Sequence, residues 1–371
     1  MRKALVSDAI LGKFAAREVP GPHPSRPLLR KGARINEDVL SAIERYGLNV
    51  IWISDELLPD VETKEGVRIE TREAARNAFR GAYEAAERWQ EDKTPPKSDD
   101  GSRIMSSVRM LVADVTSNRD VLSNLSFIRA WDDYTFEHSV QVATASLLLG
   151  KQIGLDEDAL HRLGIGAMLH DVGKALIPQE ILRKPGRLTD EEFAVMRMHP
   201  QLGWEFLRAG FPTIMPTSSV VALQHHERLD GSGYPFGRRE HEIYLFSQIV
   251  AAADVFDALR AQRAYRSDLS PAEVAATMRR EAGAHLRQDL VEILLSHVAL
   301  APVGSVVQLS DGRYGMVTSV RPQAPLHPVV RVVSHDGERR LRDDEVDLAE
   351  DHLEITQLLD GWPDEVLSQA R

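Results

Sequence analysis

Cysteine is missing from all 371 residues. Its absence excludes disulfides, thiolate metal ligands and a cysteine nucleophile at once, and it fits a reducing cytoplasm. A surplus of basic residues is missing too: 45 Lys and Arg stand against 56 Asp and Glu, a formal net charge of -11. That balance argues against a broad cationic face for duplex nucleic acid. An anionic small molecule stays open as a ligand, because bound cations and local arginines reverse the potential inside a cleft. No apolar run has the length needed to span a bilayer. At the N-terminus, Met1-Arg2-Lys3-Ala4-Leu5-Val6 runs straight into Ser7 and Asp8, so no signal peptide is expected. The expectations are a cytoplasmic location, no membrane and no duplex nucleic-acid partner.

What is present is a globular balance, 43% hydrophobic and 27% charged, in a chain long enough for two or three domains. Residues 1–92 read as an N-terminal α/β regulatory or docking module. Pro20-Gly21-Pro22-His23-Pro24 is a loop, Leu28 to Gly32 a strand and turn, Asn36 to Tyr46 an amphipathic helix, and Asn49 to Ile53 a strand. Thr71 to Gln90 is alanine-rich and helical. The stretch Glu91 to Gly101, with Pro95-Pro96, is the best linker candidate. Residues 102–300 are read as one helical domain. Residues 301–371 form a small β-rich region, with a hairpin around Ser310-Asp311-Gly312 and a further strand over Val329 to Val333. The expected fold class is mainly α: an all-helical metal-binding domain between a small α+β module and a small antiparallel β region.

The chemistry sits in the helical middle. His138 opens a helix, His170-Asp171 ends the apolar run Leu163 to Leu169, and His199 precedes Pro200. His225-His226-Glu227 leads into Asp230-Gly231-Ser232-Gly233-Tyr234-Pro235, and Asp254 closes the apolar run Ile249 to Ala253. A polar pair at the end of a buried apolar run is costly unless something satisfies it, and a metal ion would. Imidazoles with carboxylates suit Zn, Fe, Mn or Ni. Taken singly, each of these residues is more often structural: a helix-end histidine, a solvated His pair, a hydrogen-bonded aspartate. Their joint occurrence in one helical stretch favours a metal centre. Neighbours on a helix point about 100° apart, so His225 and His226 are not expected to share one ion easily. Lys174, four residues after His170, is expected to face the same way.

The ordered set His138, His170-Asp171 with Lys174, His199, His225-His226-Glu227, Asp230-Gly231, Gly233-Tyr234-Pro235 and Asp254 resembles the HD-GYP family of the HD superfamily, over roughly residues 125 to 298. Ile181-Leu182-Arg183-Lys184-Pro185-Gly186 and Phe256-Asp257-Ala258-Leu259 agree with it. The resemblance implies hydrolysis of a cyclic dinucleotide, chiefly the bacterial second messenger cyclic di-GMP, in signal transduction. It implies two divalent ions, iron or manganese, on His138, His170, Asp171, His199, His225, His226 and Asp254. Asp171 would bridge them and a clamped hydroxide would attack phosphorus. Lys174 would hold a phosphate oxygen or help the leaving oxygen, and Arg263 and Arg266 would grip the phosphates. Gly231, Gly233, Tyr234 and Pro235 would shape a loop that, like the N-terminal module, offers a docking surface for signalling proteins. Homodimerisation stays open. Two departures are visible: Tyr134 stands where some relatives place a third-metal carboxylate, and Ala264 stands where relatives often have proline. The alternative to an enzyme is a dinucleotide-binding receptor or scaffold with little turnover.

Overall fold

The computed structural model describes residues 1–19, 21, 27–45, 50–55, 57–63, 66–97, 99–117, 134–261, 269–321, 323–333, 344–359, 361–363 and 366–367. In the N-terminal part, β1 (Arg2–Leu5) pairs antiparallel with β2 (Val50–Ile53), and α1 (Glu37–Arg45) lies between them in sequence. Leu40 and Ile43 of α1 join Ile10, Ile35, Ile51 and Ile53 in a small core. Leu28 to Gly32 is not a strand. Leu29 makes one bridge to Val19, and the chain then turns at Gly32, whose φ is +81°.

Among the described residues ten α-helices follow, apart from the 3₁₀ turns Val172–Leu176 and Glu240–Glu242: α2 (Ile69–Asp92), α3 (Asp100–Ser117), α4 (Tyr134–Gln152), α5 (Glu157–Leu169), α6 (Gln179–Leu182), α7 (Asp190–Met196), α8 (His199–Gly210), α9 (Pro216–Gln224), α10 (Leu245–Ala261) and α11 (Pro271–Glu281). One more, α12 (Gln288–His297), closes the series. All but α6 and α7, which bury none of their residues, share one core running from Val67 to Leu300. The expected division near residues 92–102 does not coincide with a break in that core. Phe79, Ala82 and Ala85 of α2 are fully buried, and α2 packs on α3, α4 and the 3₁₀ turn. Burying one such phenylalanine is worth about 1.5–3 kcal/mol. Five buried alanines (Ala75, Ala78, Ala82, Ala85 and Ala86) and Phe79 on one face therefore outweigh the prolines downstream, and α2 joins the helical body. Its N-terminus is pinned to α3, where Asp114 accepts from the backbone and side chain of Arg68 at 3.0 and 2.8 Å.

The C-terminal part is a five-stranded antiparallel sheet of β3 (Val306–Leu309), β4 (Tyr314–Ser319), β5 (Val329–Val332), β6 (Asp344–Asp347) and β7 (Ile355–Leu359), in the order β6-β5-β4-β3-β7. Val307, Val317 and Val330 alternate inward and fill its own core. A second cluster joins the two ends of the chain: Leu58 and Val61 pack with Val306, Met316 and Trp362. Asp55 pins it by accepting from Trp362 Nε1 and from the backbone N–H groups of Leu57 and Leu58, all at 2.9 Å. Among the described residues no helix is long and apolar enough to cross a membrane.

Candidate metal centre

Five helices deliver the polar groups to one buried spot. Helix α5, capped by Asp156 accepting from Ala159 N at 2.7 Å, ends at Leu169 and hands over directly to His170 and Asp171. His138 comes from α4, His199 from the first residue of α8, His225 and His226 from the end of α9, and Asp254 from the middle of α10. His170, His199 and His225 are at most 1% exposed, and Asp171 is equally buried.

Asp171 stands at the centre of the geometry. Its Oδ1 faces His199 Nε2 at 3.3 Å and His225 Nε2 at 3.7 Å, while its Oδ2 faces His170 Nε2 at 3.4 Å and His138 Nε2 at 3.6 Å. Two groups with metal-binding potential therefore share this carboxylate: Asp171 with His199, His225 and His226, and Asp171 with His138 and His170. Asp254 spans the opposite side, with Oδ1 at 3.1 Å from His138 Nε2 and Oδ2 at 4.0 Å from His226 Nδ1.

His225 and His226 converge after all. The 100° rule applies inside a helix, but α9 ends at Gln224, so His225 is already its cap and His226 lies beyond it. Their ring centroids are 4.1 Å apart. Lys174 is also placed differently from its expected pairing with His170. It sits in the 3₁₀ turn, where residues three apart eclipse, and its ammonium donates to Asp171 Oδ2.

The donor set fits a cation. His170 Nε2 and Asp171 Oδ1 are buried with no hydrogen-bond partner. Such groups cost roughly 1–3 kcal/mol each when left unsatisfied. Backbone carbonyls fix the ring orientations. The Nδ1–H groups of His170, His199 and His225 donate to Ala167, Met196 and Ala222 at 2.7, 2.8 and 2.9 Å, which turns each Nε2 inward as an acceptor, those of His199 and His225 lying 3.3 Å apart. Burial pushes the His225 pKa down to about 4, and burial with the neighbouring imidazoles lowers that of His226. Both are neutral, ligand-ready bases near pH 7. Burial opposes the charge on Asp171 and Asp254, but Lys174 holds the first ionised and His138 the second.

Two residues with site roles carried no such role in the sequence reading. Asp257 accepts from His138 Nδ1 at 2.7 Å. The i+3 spacing from Asp254 on α10 was the available signal, since it puts both carboxylates on one face. Against the opposing pull of burial, Asp254 and Asp257 together hold the His138 pKa up at about 10 in the ion-free protein. Asp257→Asn should weaken metal binding by about 10-fold, the low end for a residue behind a ligand. Lost orientation and basicity weaken binding, while reduced proton competition at Nε2 offsets part of the loss. Competitive chelator titration of both proteins measures it, and unchanged affinity would remove Asp257 from this role.

Glu227 is the second. It is 2% exposed, and its two oxygens accept from Phe236 N and Arg238 N, both at 2.9 Å. It thereby cinches the loop holding Gly231, Gly233, Tyr234 and Pro235. Gly231 adopts φ +86°, and a Cβ on Gly233 would lie 2.4 Å from Arg228 N. Glu227→Ala leaves two backbone donors unpaired and should cost about 2–4 kcal/mol. The thermal midpoint should fall and the loop should be cut faster in limited proteolysis. An unaltered cleavage pattern would contradict this account. Tyr234 does more than shape the loop: its ring lies 4.7 Å from that of His226 and 6.4 Å from that of His199. Arg263, Arg266 and Ala264, and the side chain of Tyr134, lie outside the described residues.

A family model for the HD domain matches residues 122–290, and one for a KOW domain associated with the HD domain matches residues 306–361. The cyclic di-GMP phosphodiesterase PA4108 of Pseudomonas aeruginosa is 36% identical over 59% of this chain and 53% of its own length. The cyclic di-GMP phosphodiesterase response regulator RpfG of Xanthomonas campestris is 38% identical over 44% of this chain and 45% of its own. The 3'3'-cGAMP-specific phosphodiesterase 2 of Vibrio cholerae is 34% identical over 52% and 37%. The chain thus spans about half, or less, of the length of these curated relatives. An HDG"Y"P protein from Bdellovibrio bacteriovorus shares the fold, with a TM-score of 0.52 at 19% identity over 79% of this chain and 97% of that one.

Proposed function

Since a family model for the HD domain matches residues 122–290 of this chain, we propose that it is a metal-dependent phosphodiesterase of the HD-GYP type that hydrolyses a cyclic dinucleotide, foremost cyclic di-GMP. The observation that carries this reading is the double exposure of Asp171, one oxygen toward each histidine group, with Oδ1 and His170 Nε2 unsatisfied. The proposed ligands are His138, His170, Asp171, His199, His225, His226 and Asp254, holding two divalent ions, iron or manganese. Such ions, when bound, supply Lewis acidity toward phosphate oxygens and make water a nucleophile near neutral pH.

The protein's own groups do the rest. Asp171 carries negative charge into the centre of the site, and Asp257 and three backbone carbonyls aim the imidazoles. Lys174 is partly exposed beside Asp171. Burial lowers its pKa, but the Asp171 charge more than compensates, so it stays an ammonium. It is suited to bind a non-bridging phosphate oxygen and to donate a proton to the departing ribose oxygen. Arg263 and Arg266 are assigned to the remaining phosphate charge. The related enzymes of P. aeruginosa and X. campestris support the substrate class.

The test is metal analysis and product identification on one sample. Protein loaded with Mn(II) or Fe(II) should convert cyclic di-GMP to its linear form, and apo protein should not. Tight dinucleotide binding without product under either metal would replace the enzyme by the receptor alternative.

A further inference from the structure

We propose that Phe193 of α7 and Arg197 at its C-cap, together with Tyr234, form the base-reading rim of the site and select guanine. This rests on the phosphodiesterase reading above and adds the residues that choose the base. Helix α7 buries none of its seven residues. Phe193 is 47% exposed, so the helical core does not need its ring. Its edge nevertheless meets the Tyr234 ring at 6.5 Å, with the planes 76° apart. One turn later the Arg197 guanidinium lies over the same Tyr234 ring, 4.8 Å from its centroid. Tyr234 in turn rests against the His226 ring. Two ring contacts thus separate Phe193 from a proposed metal ligand.

The platform is anchored. Thr189 and Glu192 form a capping box at the start of α7, and Lys184 Nζ grips both Glu192 oxygens at 2.8 and 2.6 Å. At its other end Met196 O accepts from His199 Nδ1. The helix is therefore registered to the metal centre at one end and to the preceding loop at the other. Among the described residues the Arg197 guanidinium makes no hydrogen bond or ion pair, so its fork of donors is available beside the exposed phenyl ring.

An aromatic face next to an arginine fork is the chemistry that holds a purine: the base stacks on the ring, and the fork donates to two acceptors on one edge. Guanine presents O6 and N7 on that edge, both acceptors. Adenine presents its N6 amino group there, a donor facing donors.

The experiment measures KM and kcat for cyclic di-GMP, 3'3'-cGAMP and cyclic di-AMP on metal-loaded protein, with metal content determined on each sample. Phe193→Ala should raise KM for cyclic di-GMP by about 10-fold, and Phe193→Tyr should restore it. Arg197→Gln should cut the preference for guanine over adenine by about 10-fold, and Arg197→Lys, lacking the fork, should not restore it. Metal content should match the parent throughout. If the parent cleaves cyclic di-GMP while both variants keep its KM and its base preference, the rim assignment is wrong. Loss of bound metal in both variants would overturn it equally, because α7 would then act only by supporting His199. If the metal-loaded parent cleaves none of the three dinucleotides, the phosphodiesterase reading itself fails.

Discussion

Asp171→Asn should leave a folded protein that retains little metal and has lost hydrolysis by roughly 10³-fold or more, beyond the usual cost of one lost electrostatic contact. The side chain is nearly isosteric, so packing around it survives. What changes is charge. Asp171 is the only residue common to both groups of metal-binding geometry, so its neutralisation weakens every ion that either group holds. The loss falls on both groups at once, whereas His199→Ala touches one. The fold is spared because Lys174, which would lose its carboxylate, is partly exposed and can turn to water. Metal analysis, circular dichroism and turnover on the same preparation decide the matter. A variant that keeps full metal content and activity would refute the shared role of this carboxylate.

Gly173→Ala should be the most damaging glycine-to-alanine substitution among the described residues. A Cβ there would sit 2.0 Å from His199 O, 2.6 Å from Gly203 N and 2.9 Å from Gly203 Cα. All three are backbone atoms of α8, so no side chain can swing aside. Overpacking against mobile side chains costs about 1–3 kcal/mol, and this contact should exceed that. The displaced element also carries His199, so metal affinity should fall together with stability. The reverse change is gentler: a Cβ on Gly203 would meet Gly173 N at 3.0 Å and Cα at 3.2 Å. Thermal melting should therefore rank Gly173→Ala well below Gly203→Ala. The opposite order, or a Gly173→Ala protein that melts like the parent, would show that these two backbones do not meet as closely as described.

The parts of the site that could be read from sequence are those whose chemistry is local. His170-Asp171 ends an apolar run, and Asp254 closes another, so both announce a buried polar group before any fold is known. Long periodic helices such as α2, and the hairpin of β3 and β4, are equally local. The unread parts depend on distant or terminal geometry. Whether His225 and His226 diverge or converge turns on whether α9 stops one residue earlier or later, and that boundary is set by packing. Asp257 looks like any helix carboxylate until α4 brings His138 against it. The Glu227 side chain binds N–H groups nine and eleven residues downstream, a span no periodicity encodes. The membership of α2 in the helical core was hidden because the diproline segment after it resembles a linker while its alanine stripe gives no hint of its partner.

That membership has a thermodynamic consequence. Helix α2 rests on the 3₁₀ turn that carries Lys174, and it leads back to the N-terminal strands and the Asp55 junction. A ligand of the N-terminal part that favours one seating of α2 by tenfold biases the turn by about 1.4 kcal/mol. Any such coupling is reciprocal: an ion or ligand at the candidate metal centre that prefers the same seating would change the affinity of that distant ligand by the factor the distant ligand imposes on it.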